Sequence, residues 1–82
     1  MILVDIEVPV MGRTYDFQLD ETMTAGAVTS RIASIICIQE QCLLPADGKS
    51  ITLWDRERRM RLLPEKTIAE QGIISGSRLL LV

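Results

Sequence analysis

One stretch, Thr24 to Gln41, carries the periodicity of a long helix, and no second stretch rivals it. A chain with one such helix must bury that helix's apolar stripe against something else. Here the something else is strands. Ala25, Val28, Ile32, Ile35 and Ile36 recur at spacings of three and four, which places them on one helical face, with Cys42 and Leu43 continuing it. Thr24 stands before the run with a side-chain oxygen suited to an N-cap. No proline interrupts the span, and Pro45-Ala46-Asp47-Gly48 reads as the loop after it. The other face carries Gly26, Ala27, Ser30, Ala33, Ser34 and Cys37 in place of the usual long charged residues. Small side chains let another surface approach closely, so Gly26, Ser30, Ala33 and Cys37 form a candidate second contact surface. The alternative is a plain helix surface that tolerates small residues.

The flanking segments alternate with period two. Ile2, Val4, Ile6 and Val8 point one way, and Leu3, Asp5 and Glu7 the other. After a turn at Pro9–Arg13, Tyr15, Phe17 and Leu19 share the apolar side of a second strand, so residues 2–19 read as a hairpin. Ile51–Asp55 is a third strand, with Ile51 and Leu53 inward and Thr52 and Trp54 outward. Residues 56–58 form a charged turn, and Arg59–Leu62 a short fourth strand with Met60 and Leu62 in the core. Ile68–Gly72 reads as one helical turn closed by a left-handed glycine. Arg78–Val82 is the last strand, with Leu79 and Leu81 on one face and Leu80 and Val82 on the other. The expected architecture is α+β, a mixed sheet of four to five strands packed on one helix. At 82 residues it is a single domain, and its core depends on Ile, Leu and Val rather than on aromatics.

Composition narrows the function. The net charge of −2 makes no general electrostatic case for nucleic acid or an anionic membrane. No apolar run has the length of a membrane span, and the acidic residues after Met1–Val4 argue against a secretory signal. The chain has no histidine and two cysteines, Cys37 and Cys42, which a helix would place on different faces. Unpaired thiols in an unexported chain point to the cytoplasm. No metal or cofactor is expected, and no nucleophile with a nearby base or phosphate-binding loop is visible, so the chain is not expected to be an enzyme.

Two surface features remain. Arg56, Arg58, Arg59 and Arg61 cluster around Glu57 as a candidate basic contact, weighed against a solvated turn that guards a sheet edge. The chain lacks the aromatics that single-stranded nucleic acid would use, so no nucleic-acid partner is expected. Trp54, Leu80, Val82 and Leu3 leave the core face by alternation. If the third and last strands are neighbours, they gather into an exposed apolar patch of the size that marks interaction sites. A protein partner, with self-association as a further outcome, is therefore expected.

The order of elements, with Thr24 capping the helix and the closing runs 67–73 and 76–81, resembles ubiquitin-like domains of the β-grasp fold. Within them it is similar to the small bacterial YukD/EsaB group of type VII (ESX-like) secretion systems. The features are the total length, the Tyr15-Asp16-Phe17-Gln18-Leu19-Asp20 strand, the Gln71-Gly72-Ile73 turn and an ending at the last strand. That resemblance implies an accessory or regulatory role in export, through contacts with secretion machinery. A ubiquitin-like modifier or sulfur carrier is the alternative. It would need a C-terminal Gly-Gly, and this sequence ends Leu80-Leu81-Val82.

Overall fold

A computed structural model describes residues 1–40 and 51–82. Among the described residues, five strands form one sheet: β1 (Ile2–Val8), β2 (Arg13–Leu19), β3 (Leu53–Asp55), β4 (Met60–Arg61) and β5 (Arg78–Leu81). Their order across the sheet is β2-β1-β5-β3-β4. Among these described strands β1 and β5 pair in parallel and the other pairs are antiparallel, which makes β1 and β5 neighbours at the centre. One helix, α1 (Ala25–Glu40), covers one face. This is the β-grasp arrangement, and the α+β expectation holds.

The alternation in β1 explains its central place. Val4, Ile6 and Val8 are buried and meet Leu79 and Leu81 of β5, Leu53 of β3 and the helix stripe. The helix buries Ala25, Val28, Thr29, Ile32, Ala33 and Ile36. Thr24 caps it as expected, its Oγ1 accepting from the Ala27 amide at 3.3 Å. Thr29 fits among the apolar side chains because its hydroxyl donates to the Ala25 carbonyl, 2.7 Å away.

Two core assignments need correction. Ile35 is 39% exposed, and Ala33 is fully buried in its place. The stripe turns around the helix through Thr29 and Ala33, and Ile35 falls on its flank, beside the sheet edge. Met60 is 57% exposed because β4 is a two-residue edge strand lying past the helix. Leu62, one residue beyond β4, supplies the core contact from this segment. The third strand also begins later than expected, at Leu53, although Ile51 is still buried.

The connection before β5 is tied to the start of α1. Ala25 and Gly26 donate to the carbonyls of Lys66 and Pro64, and Ile68 and Ala69 donate to those of Met23 and Glu21. Thr67 and Glu70 exchange reciprocal side-chain-to-backbone hydrogen bonds at 3.1 and 2.9 Å, a capping box on the short 3-10 turn Ala69–Gln71. Gly72 closes that turn at φ 76°, a left-handed conformation that favours glycine.

Candidate functional site: the open face of the sheet

The face of the sheet away from α1 is organised in rows by strand register. Leu80 of β5 sits between Glu7 of β1 and Trp54 of β3, and Arg61 of β4 lies beyond Trp54. Asp5 pairs with Asp16 on one side and Arg78 on the other. Val82 and Thr52 exchange backbone hydrogen bonds at 2.6 and 2.9 Å, which places Val82 one step along from Leu80. Trp54, Leu80 and Val82 therefore adjoin each other.

Trp54 and Leu80 are half-buried, and Val82 is exposed. The indole is held in place, since its Nε1 donates to Thr52 Oγ1 at 2.9 Å and Thr52 Oγ1 donates to the Val82 carbonyl at 3.2 Å. A tryptophan with its polar edge satisfied and part of its ring open is a pre-positioned anchor.

Leu3 does not join this patch. It is exposed, but its carbonyl accepts from the Gly76 amide at 2.8 Å, so it stands level with the start of β5. Val82 lies six residues further along, about 20 Å at the usual strand rise. Charged Asp5, Glu7, Arg78 and Arg56 occupy the ground between. Alternation correctly gave Leu3's face. It could not give its level, because the offset between β1 and β5 is set by a parallel pairing of residues 73 positions apart in the chain, such as Asp5 and Arg78.

Val10 is the residue that sequence reasoning passed over. It is 76% exposed in the 3-10 turn Pro9–Met11. Continuing the parallel register two residues past Glu7 and Leu80 brings Pro9, where this turn begins, level with Val82. The signal was present as an apolar residue inside a turn, closed by Gly12 at φ 63°. The apolar cluster on this face is thus Val82, Leu80 and Trp54, and Val10 is exposed in the turn that follows β1.

Around it the charges are sorted. On this face the carboxylates Asp16, Asp5 and Glu7 lie on β2 and β1, and the arginines Arg78 and Arg61 on β5 and β4, with Arg56 just past the end of β3. Arg56 reaches diagonally to Glu7 at 2.6 Å. The Asp5 carboxyl, hydrogen-bonded to Asp16 and repelling it, holds the Asp16 pKa above its ordinary value.

The four arginines do not form one basic patch. Arg58 turns inward: its Nε donates to Asp55 Oδ2 at 2.7 Å, and its Nη2 to the Gln71 carbonyl at 2.7 Å. Arg56 is paired with Glu7, Arg61 lies beside Trp54, and Arg59 holds the turn at φ 55°.

The small-residue helix face is also less open than the sequence suggests. Ala33 belongs to the core, and a side chain at Gly26 would meet the Pro64 carbonyl at 3.1 Å. Gly26 serves the chain's own Pro64 loop. Ser30 and Cys37 are half-buried. Cys42 lies outside the described residues.

Among the described residues, no group of three or more His, Cys, Asp or Glu is gathered to hold a metal ion. Among them, no helix is long and apolar enough to cross a membrane. No family model matches the chain, and no curated protein matches it in sequence. Solved structures do match. One is the ubiquitin of Caldiarchaeum subterraneum, 21% identical with a TM-score of 0.72, covering 98% of this chain and 89% of that one. The chain has the ubiquitin fold.

Proposed function

We propose that the chain is a non-catalytic protein-docking module that binds through the Trp54, Leu80 and Val82 cluster. The observation that carries this reading is the pairing of Trp54 with Leu80 on the helix-free face, beside exposed Val82. The flanking arginines and carboxylates would orient a partner, while the indole and aliphatics supply most of the binding energy. The test compares wild type with Trp54→Ala and Leu80→Asp for retention of the native partner, with far-UV circular dichroism as the folding control. Loss of retention by folded variants is expected. Equal retention by both would remove this face from the function.

Two fuller roles fit such a module. The likeness to an archaeal ubiquitin favours the modifier or carrier reading. Intact mass of the product made in its own cells, with a search for covalent adducts, tests it. A mass ending at Val82 with no adduct rejects it. The secretion role, as a cytoplasmic accessory contacting the export machinery, is supported by the sequence resemblance alone. Neighbouring genes for an FtsK/SpoIIIE-type ATPase and small helical exported proteins, with co-purification of that ATPase, are its test.

A further inference from the structure

We propose that two copies of this chain pair β2 against β2 around a two-fold axis at Phe17, joining their sheets into one. This surface lies at the opposite edge of the sheet from β4, away from the Trp54 cluster, so both can be occupied at once.

The two sheet edges differ. β4 is two residues long, whereas β2 presents seven without proline. The β2 edge is also open in its backbone. The Leu3 carbonyl and the Asp5 amide both bond toward β5. Hence Leu3, Asp5 and Glu7 direct their backbone groups to β5, and Ile2, Val4, Ile6 and Val8 direct theirs to β2. Their register partners Leu19, Phe17, Tyr15 and Arg13 face inward. Thr14, Asp16 and Gln18 are left with outward N–H and C=O groups, a template for another strand.

Charge selects both the occupant and the register. Centring the axis on Asp16 would set two Asp16 carboxylates face to face, each already crowded by Asp5. Centring it on Gln18 would set Asp16 against Asp20. Centring it on Tyr15 would leave Gln18 opposite the left-handed Gly12. Only Phe17 gives a complementary set. Asp16 then faces Gln18, and Thr14 faces Asp20. Arg13, whose Glu40 contact is solvent-exposed, comes to the acidic Asp20–Glu21 corner. A second copy supplies all of these partners by symmetry.

The helix side of the edge agrees. A groove of about 210 Å³ runs between β2 and α1, lined by Phe17, Leu19, Ile32 and Ile35 among others. Ile35, left 39% exposed on its wall, would be covered as the two grooves join across the axis. One strand pair and one groove sit at the low end of interface sizes, so the dimer forms only as concentration rises.

The test places single cysteines at 16, 17 and 18 in a Cys37→Ser, Cys42→Ser background, with oxidised glutathione as the two-electron oxidant. Around Phe17 the pair is non-hydrogen-bonded with Cα atoms about 4.5 Å apart, inside the disulfide range. Phe17→Cys should cross-link several-fold faster than Asp16→Cys or Gln18→Cys. Faster linkage at either neighbour would overturn the register. Sedimentation equilibrium from low-micromolar to millimolar wild type should show mass rising toward twofold. A monomer throughout would overturn the dimer and leave the edge to another protein. Gln18→Pro removes an outward donor without touching the β1 ladder, and should give a folded monomer. A Gln18→Pro dimer would move the contact elsewhere. As an independent check, Arg13→Glu should raise the dissociation constant several-fold and adding Glu21→Arg should restore it. Failure to restore would overturn the charge pairing.

Discussion

Arg58 binds Asp55 through a 2.7 Å hydrogen bond from Nε to Oδ2, and this joins the turn after β3 to the interior. Asp55 is 5% exposed, and its Oδ1 also accepts from the Glu57 and Arg58 amides. Removing the guanidinium leaves a buried carboxylate short of its partner. Arg58→Ala is therefore expected to cost about 1–3 kcal/mol. Arg56→Ala, which breaks an exposed pair with Glu7, should cost about 0–1 kcal/mol. Urea unfolding of the two variants measures the difference, and equal costs would mean Arg58 has only a surface role.

Ile32 and Ile35 are three residues apart with opposite fates. Ile32 is 1% exposed and packs on the sheet, while Ile35 lines the edge groove. Ile32→Ala should cost about 2–5 kcal/mol. Ile35→Ala should cost less than half as much. Thermal melts of dilute protein, where self-association is absent, check this ordering.

Gly26→Ala should destabilise, although alanine is the better helix former by about 1 kcal/mol. The added Cβ would lie 3.1 Å from the Pro64 carbonyl, which is itself accepting from the Gly26 amide. Neither backbone segment can move without loosening that hydrogen bond. A raised melting temperature would show that the Pro64 loop yields freely.

The carboxylates give opposite pH signatures. Asp20, Glu21 and Glu70 have lowered pKa values: hydrogen bonds from Thr22 act on Asp20, the Glu21 amide and N-terminal ammonium on Glu21, and Thr67 on Glu70. Their stabilisation is present above their unfolded pKa values and is lost as pH falls through the folded ones. Asp16 runs the other way, because the folded state holds its proton more tightly, through Asp5. Its ionisation opposes folding at neutral pH, and that opposition is relieved as pH falls below its raised pKa toward the ordinary 3.8. Asp16→Asn should raise the melting temperature at neutral pH, with the gain shrinking on acidification. Asp20→Asn should lower it at neutral pH, with the loss shrinking on acidification. Melting curves across the carboxylate range distinguish the two.

Local patterns determined much of this protein. Period-two alternation set the inward faces of β1, β3 and β5, and with them Trp54, Leu80 and Val82 outward. Spacing of three and four set Val28, Ile32 and Ile36, and Thr24 announced its helix. These are short-range consequences of side-chain geometry, so they are legible residue by residue. What the chain order alone could not decide was level and neighbourhood. The parallel β1–β5 offset separates Leu3 from the patch. The turn geometry commits Arg58 to Asp55, and the Pro64 loop claims Gly26. Each of these depends on contacts between segments far apart in sequence, where packing of the whole sheet against one helix selects among positions that local periodicity leaves equal.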